Sequence, residues 1–124
     1  MRLEEYLALW AGRRFDWRSC NCVHYVAGWA AQRGVPDMPV RADIRALVRL
    51  RRAAGGVVPA VSRALAVAPV RGPNAGQGDI AGVRMGRDRF ALGLVVGPAL
   101  AVLSPAGGLD YLPLQWATVA WRLP

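Results

Sequence analysis

The residues best suited to covalent chemistry lie in one short segment, in which Cys20, Cys22 and His24 occupy alternate positions. Cys22 stands where a polar loop meets a run with helical periodicity, so its thiol is predicted at a helix N-terminus. Unpaired backbone N–H groups and the helix dipole favour a thiolate at such a position. Cys22 is therefore the candidate nucleophile, and a nucleophilic thiol needs a base that takes its proton.

The sequence offers little that could serve as this base. His24 is the only histidine, and two residues along a helix correspond to a rotation of about 200°, which turns the imidazole away from the Cys22 thiol. Three carboxylates could reach the site, those of Asp79, Asp88 and Asp110, and we keep Asp79 as a secondary catalytic candidate. A carboxylate is a weak base towards a thiol near neutral pH. From the residues alone, Cys22 can therefore also be interpreted as a small buried side chain without a catalytic role.

Two thiols and one imidazole are also ligand types that suit zinc or iron. The spacing C-x-C-x-H is shorter than in usual zinc sites, and the sequence has no distant cysteine or histidine to complete four ligands. A disulfide between Cys20 and Cys22 would close a very small, strained ring. We therefore expect free thiols and no cofactor, and we keep a metal-linked role for Cys20, Cys22 and His24 as an alternative.

The composition predicts a single domain over residues 1–124, since 54% of the residues are hydrophobic and can form one core. No apolar run reaches the roughly 18–20 residues that a membrane helix needs, and the N-terminus does not resemble a signal peptide. We therefore expect synthesis in a cytoplasm and no membrane span. The net charge of +8 comes from arginines and is compatible with an acidic partner.

Helical periodicity dominates the first half of the chain. Apolar spacing predicts one helix over residues 2–11 and a second helix from Cys22 onwards. Gly28 lies inside the second run, where a glycine typically marks close packing against another element. The residues of this run that are predicted to be buried are Val23, Val26, Ala27 and Ala30. Two further helices are predicted over residues 41–53 and 59–66.

Short apolar runs that alternate with turn signals fill the second half. The runs are DIAGVRM, FALGLVVG, PALAVLS, LDYLPL and TVAWRL. Because helices come first and strands follow, we predict an α+β domain in which N-terminal helices pack on a C-terminal antiparallel sheet of four to five strands.

Arginines line one face of the helix predicted over residues 41–53. They recur at spacings of four and three, as Arg41, Arg45, Arg49 and Arg52. Such a stripe is either a solvated face or a surface that docks on an acidic neighbour or on nucleic acid. Nucleic acid is disfavoured because no aromatic residue stands among these arginines.

The segment around Cys22 resembles the cysteine motif of NlpC-like cell-wall peptidases, which have the papain-like fold. In FDWRSCNCVHYVAGW, an aromatic-x-Trp pair and a polar loop precede Asn-Cys and an apolar helix that contains aromatic residues. Cys22 stands in the place of the nucleophile, and Asn21 replaces the aspartate that commonly precedes it. The resemblance thus supplies a family context for a cysteine at the start of a helix.

The second half resembles the same family at two places. The sequence GDI at residues 78–80 is similar to the start of the family's first strand. The sequence ALGLVVG at residues 91–97 is similar to the strand that carries His-x-Gly, and Gly93 matches the glycine of that motif. Ala91 stands where the resemblance calls for the catalytic histidine.

Over nearly its full length, the chain resembles a small NlpC-like family encoded by tailed phages and prophages. The resemblance implies a degenerate peptidase fold that acts as a structural or assembly component of a tail tip, in the baseplate or hub region. The implied partners are other tail proteins and peptidoglycan, after synthesis in the bacterial host cytoplasm and incorporation in the virion tail. One alternative is a peptidoglycan-cleaving cysteine hydrolase that uses Cys22 with a non-histidine base or a base supplied by another protein. The other is a metal-linked tail protein that uses Cys20, Cys22 and His24.

Overall fold

The computed structural model describes residues 1–14, 21–35, 52, 55–86 and 90–124. Within these residues, helices precede an antiparallel sheet, which confirms the predicted α+β fold. The helices are α1 (Leu3–Ala11), α2 (Cys22–Gln32) and α3 (Val57–Leu65). The strands are β1 (Val70–Arg71), β2 (Ile80–Arg84), β3 (Phe90–Val96), β4 (Ala99–Leu103), β5 (Leu109–Pro113) and β6 (Val119–Trp121). The helix predicted over residues 41–53 lies outside the described residues, apart from Arg52.

Helix α1 buries one apolar face, as its sequence spacing predicts. The buried side chains are Leu3, Tyr6, Leu7 and Trp10. Glu4 and Glu5 lie in the first turn, where negative charge complements the helix dipole. After Gly12, the Gly108 N–H donates to the Arg13 carbonyl at 3.1 Å. This hydrogen bond ties the end of α1 to the turn that precedes β5.

Helix α2 is the central helix of the core. The predicted buried stripe is correct for Val26, Ala27 and Ala30, whereas Val23 is only half-buried. Tyr25 and Trp29 are buried as well, so the apolar face is wider than the prediction. This width follows from the position of α2, which has α1 on one side and strand β3 on another.

Two tyrosines connect the helices to the sheet through hydrogen bonds. The Tyr6 hydroxyl on α1 donates to the Tyr25 carbonyl on α2, and the Tyr25 hydroxyl donates to the Ala101 carbonyl on β4 at 3.0 Å. Gly28 allows this close approach, because a Cβ at that position would collide with the Tyr6 hydroxyl. The prediction that Gly28 marks close packing is therefore confirmed.

Helix α3 begins two residues before the predicted helix over residues 59–66 and packs against the sheet. Val61 and Leu65 are buried. The indole Nε1 of Trp121 on β6 donates to the Ser62 hydroxyl oxygen at 2.9 Å. These contacts make α3 part of the core.

In the described part of the chain, the sheet contains six strands in the order β1-β6-β2-β3-β4-β5, and every neighbouring pair is antiparallel. The five strands predicted from apolar runs are confirmed. Strand β1 was not predicted, because it has only two residues and lies in a segment rich in glycine, proline and alanine.

The two faces of the sheet belong to two separate apolar clusters. In the register of the sheet, Ile80 on β2 pairs with both Leu94 on β3 and Trp121 on β6. These residues share the face that packs against the helices. The opposite face forms a second cluster, which includes Ala81, Val83, Val95, Leu100, Val102 and Ala120. Burial on both faces explains why the strands read as continuous apolar runs.

The sheet curls around this second cluster. Only residues 114–118 connect β5, at one edge, to β6, which lies next to the other edge. The 3₁₀ helices Gly72–Asn74 and Leu114–Trp116 contact each other. Gly72 is required there, since a Cβ would collide with the carbonyl of Ala117. No helix in the described part of the chain is long and apolar enough to span a membrane.

Candidate functional site

Cys22 is the first residue of α2, as the sequence predicts. Asn21 caps this helix: its side-chain oxygen accepts hydrogen bonds from the backbone N–H groups of Val23 and His24, both at 3.0 Å. Asn21 is almost fully buried. Asn21, which stands where NlpC-like peptidases commonly have an aspartate, thus caps the start of the helix. Asparagine is one of the preferred residues at this position.

The Cys22 thiol is free, and its surroundings raise its pKa instead of lowering it. Although the residue keeps part of its surface exposed, burial among protein atoms raises the pKa of the thiol. Backbone hydrogen bonds with Leu92, Cys22 itself and Val23 lower this pKa, but their combined effect is smaller than that of burial. Burial thus works against the thiolate that a helix N-terminus would otherwise favour.

Strand β3 presents apolar side chains towards α2. Leu92 and Leu94 belong to the cluster that contains the helices, and Phe90 packs against it. Ala91 alternates with them and packs with the second cluster, on the opposite face of the sheet. The residue that the family resemblance puts in the place of the histidine therefore does not face Cys22. A histidine at position 91 would point to the same opposite face.

His24 lies on another side of α2 and lines a cavity together with Tyr6 and Trp10 of α1. Only 9% of its surface is exposed, and no described residue hydrogen-bonds to its Nδ1. Burial lowers the pKa of the imidazole. The structure thus places His24 and Cys22 against different elements, α1 and β3, which agrees with the rotation expected from their spacing.

The Asp79 carboxylate has a structural position just before β2. One oxygen accepts from the Gly76 N–H at 2.8 Å, and the other accepts from the Leu123 N–H at 3.1 Å. Asp79 is 9% exposed. Its carboxylate therefore joins the turn before β2 to the segment that follows β6, and no hydrogen bond between Asp79 and Cys22 is present.

Gly78, the other residue of the Gly-Asp motif, connects this turn to α2. Its carbonyl accepts a hydrogen bond from the indole Nε1 of Trp29 at 2.8 Å. Its φ of +81° lies in the left-handed region that favours glycine. The Gly-Asp motif resembles the start of the first strand in NlpC-like peptidases. In this structure it is explained by the turn conformation of Gly78 and by the hydrogen bond between Gly78 and Trp29 on α2.

Among the described residues, the Cys22 site therefore contains a partly exposed cysteine with a desolvated thiol, backbone groups that hydrogen-bond with it and apolar neighbours. A cysteine hydrolase needs a base that can take the thiol proton and return it to the leaving group. Neither His24 nor Asp79 is placed for this role. The geometry supports a packed or weakly nucleophilic cysteine.

A family model described as a domain of unknown function, DUF6950, matches residues 1–123. The chain belongs to the DUF6950 family. The match includes α1, the cysteine helix α2 and all six strands. The helices and the sheet are therefore parts of one DUF6950 domain. No curated protein matches the chain.

Several predicted site residues of this DUF6950 domain lie outside the described residues. These are Cys20, Arg41, Arg45 and Arg49. Arg52 is described and its surface is exposed. Within the described part of the chain, no three His, Cys, Asp or Glu side chains come close enough to hold a metal ion. The docking surface formed by the arginines and the metal site that includes Cys20 both depend on residues outside the described ones, so both stay predictions.

The sequence prediction missed a groove of the DUF6950 domain that lies between α1 and α2. On α2 the groove is lined by His24, Gly28 and Gln32. Their spacing of four residues puts them in one row along a helix, so the row could have been read from the sequence. The depth of the groove could not, because it depends on how closely α1 approaches Gly28.

Proposed function

We propose that this DUF6950 domain is a structural or assembly component of a tailed-phage tail tip, built on a degenerate NlpC-like cysteine peptidase fold. The observation that carries the proposal is the thiol of Cys22. It lies at the start of a helix that packs on an antiparallel sheet, yet burial raises its pKa and no described side chain is placed to take its proton. The order of the elements, a cysteine helix followed by an antiparallel sheet, suits a peptidase ancestor. Position 91 faces away from Cys22, and the site as described does not suit a working peptidase.

The surface supports a role in protein assembly. Tyr111 and Trp116 are 57% and 55% exposed, and aromatic residues of this kind are enriched where proteins contact each other. The net charge of +8 would attract acidic surfaces of neighbouring tail proteins. In this proposal the protein is made in the bacterial host cytoplasm and becomes part of the virion tail.

Genetic complementation tests the proposal. A phage or prophage that lacks the gene is complemented with the wild-type chain, with Cys22→Ala or with Val23→Ala, the control for packing in the same turn of α2. We expect both variants to restore infectious particles as well as the wild type does. A Cys22→Ala variant that is folded but fails, beside a Val23→Ala variant that succeeds, would show that the thiol itself is needed.

Mass spectrometry of purified particles tests the location. The chain should be present at a fixed ratio to the other tail proteins, in complete virions or in tail assembly intermediates. Its absence from both would contradict the proposed assembly role.

Hydrolysis of peptidoglycan is the second candidate, and one observation favours it. The Cys22 thiol is free and has backbone hydrogen bonds that lower its pKa in part. Activity would require a base supplied by another protein, because the described chain does not place one. Purified peptidoglycan incubated with the chain alone, and with tail fractions, distinguishes the two cases. Release of wall fragments that is lost with Cys22→Ala would support hydrolysis.

A further inference from the structure

A groove of about 370 Å³ lies between α1 and α2, away from the Cys22 thiol. Its volume is within the range of about 300–1,000 Å³ that is usual for ligand sites. The lining residues on α1 and beside it are Met1, Tyr6, Leu9, Trp10 and Arg13, and those on α2 are His24, Gly28 and Gln32. The groove is therefore largely apolar and contains a few polar groups.

His24 is the most unusual of these polar groups. It is 9% exposed, and its Nδ1 is buried without a hydrogen-bond partner in the described chain. Buried polar groups without partners are rare and unfavourable. Burial also lowers the pKa of His24, so the imidazole is neutral at pH 7 and has one donor and one acceptor nitrogen. Because the Nδ1 atom is itself buried, a ligand in the groove would reach the imidazole through the other nitrogen, Nε2, which can form a hydrogen bond with a peptide N–H or carbonyl.

Arg13 provides a positive charge at the end of the groove. Its guanidinium carbon lies 4.5 Å from the centroid of the Trp10 ring, in a cation–π contact. Arg13 is exposed and forms no ion pair with a described carboxylate; the ion pair found among these residues joins Arg2 and Glu4. The guanidinium is thus held in place and is available to an anionic group.

Exposed apolar surface continues from the groove. Leu9 is 49% exposed and Met1 is 58% exposed. Apolar side chains beside a concave site are typical of a surface that a partner covers. Together with Arg13, they form a mixed surface that is apolar along α1 and positively charged at its end.

We propose that this groove binds a peptide segment of a partner protein that combines apolar and acidic residues. An apolar side chain would lie against Leu9 and Trp10, a backbone amide would hydrogen-bond with His24, and a carboxylate would pair with Arg13. The net charge of +8 favours an acidic segment. This inference rests on the proposed assembly role only in taking the ligand to be a protein.

The groove favours a peptide over other anionic ligands. The Gln32 amide can both donate and accept a hydrogen bond, and the neutral His24 imidazole can do one or the other at Nε2, which matches a peptide backbone better than a phosphate group. Nucleic acid binding usually requires several phosphate contacts, and among the described side chains that line the groove, Arg13 is the one that carries a positive charge. The apolar lining around the Arg13 charge also fits a peptide with apolar and acidic residues better than a polyanion.

Three peptides with the same apolar residues test the proposal. The probes are acetylated and amidated Asp-Leu-Asp-Phe-Asp, Asn-Leu-Asn-Phe-Asn and Lys-Leu-Lys-Phe-Lys, titrated into ¹⁵N-labelled protein and followed by amide chemical shifts. We expect the acidic peptide to shift signals of α1 and α2, the neutral peptide to bind about tenfold more weakly, and the basic peptide not to bind. Equal binding of all three, shifts elsewhere on the domain, or no shifts at millimolar peptide would each overturn the proposal.

Matched variants connect the binding to the groove. Arg13→Ala should weaken the acidic peptide about tenfold, whereas Arg84→Ala, a change at an exposed arginine on β2, should not. Leu9→Ala should weaken it, whereas Met85→Ala, at another exposed apolar residue, should not. These four side chains are exposed, so the test does not depend on a buried substitution that could prevent folding.

Two further measurements distinguish a peptide site from a pocket for small carboxylates. His24→Leu should weaken the acidic peptide and His24→Gln should retain more of the affinity, because glutamine keeps a donor and an acceptor. Sodium 4-phenylbutyrate that binds as tightly as the peptide would show a site for small carboxylates and overturn the peptide proposal. Absence of peptide binding in a protein found in virions would refute only this inference, whereas binding by a protein absent from virions and assembly intermediates would refute only the proposed assembly role.

Discussion

The carboxylate of Asp79 gives a sharp prediction about stability, because both of its oxygens accept hydrogen bonds from the backbone. The substitution is Asp79→Ala, which removes the acceptors of the Gly76 and Leu123 N–H groups. We expect the variant to fold with a weakened link between the turn before β2 and the segment after β6. A role of Asp79 as a catalytic group would not predict this loss of stability.

The size of the loss follows from the burial of the groups involved. A hydrogen bond to a charged group contributes about 1.5–3 kcal/mol to stability, and Asp79 makes two of them at 9% exposure. Gly76 is exposed, so water can replace part of the lost interaction there. We therefore expect Asp79→Ala to lower the free energy of unfolding by about 2–4 kcal/mol. Asp79→Asn should lose about half as much, because its amide keeps one acceptor oxygen.

Equilibrium unfolding in urea measures these differences, provided that the slope of the transition stays unchanged. Asp110→Asn on β5 is the matched control, because Asp110 is exposed and should change stability by less than about 0.5 kcal/mol. Amide hydrogen exchange adds a local test: the Leu123 N–H should exchange faster in Asp79→Ala. An Asp79→Ala variant within about 0.5 kcal/mol of the wild type would refute the structural role of this carboxylate.

Three further predictions concern the fold. Asn21→Ala should lower the free energy of unfolding by at least about 1 kcal/mol through loss of the helix cap. Asn21→Asp, which keeps a cap acceptor but buries a charge, should lose less in the same urea assay. Gly93→Ala should cost about 1–3 kcal/mol, because its Cβ would lie 2.5 Å from the Ala101 carbonyl oxygen on β4. Gly12→Ala should cost little, since no atom of the described residues lies within 4 Å of its Cβ position. Burial raises the pKa of Tyr6 from 10.0 to about 12 and also raises that of Tyr25. Because these hydroxyls have a higher pKa in the folded than in the unfolded protein, they stabilise the fold below pH 10, and this contribution is lost as the pH rises towards the folded-state pKa. The urea midpoint should therefore decline from pH 10 upwards. Tyrosinate absorbance should rise as the protein unfolds. A urea midpoint that is constant up to pH 12 would contradict this expectation.

Much of the fold could be predicted from local pattern. The spacing of Leu3, Tyr6, Leu7 and Trp10 is enough to place α1, and the apolar runs are enough to place five strands. Strand β1 could not be predicted, because Val70 and Arg71 form a strand only by pairing with β6. The curl of the sheet was also beyond local pattern, since it depends on the contact between Gly72 and Ala117.

The candidate site shows the same division between local and long-range information. The position of Cys22 at a helix start and the rotation that separates it from His24 follow from helix geometry. The raised pKa of Cys22 and the packing of Ala91 with the second cluster do not, because they depend on how α2 packs on β3 and on how the sheet curls. The groove beside His24 depends in turn on the approach of α1 to Gly28. The sequence thus predicts where these residues lie along the helices and strands, whereas the pKa and the neighbours of their side chains depend on packing between elements that are distant in sequence.

The pH dependence of Cys22 alkylation tests most directly whether this thiol occupies the place of a nucleophile without being activated. Iodoacetamide is reacted with the folded Cys20→Ala variant over a range of pH, and N-acetylcysteine and the same variant in urea serve as references. Because steric shielding changes the rate but not the midpoint of its pH profile, the midpoint reports the thiol pKa. We expect a midpoint for the folded protein above those of both references. A midpoint near or below neutral pH would contradict this expectation and would make Cys22 an activated nucleophile.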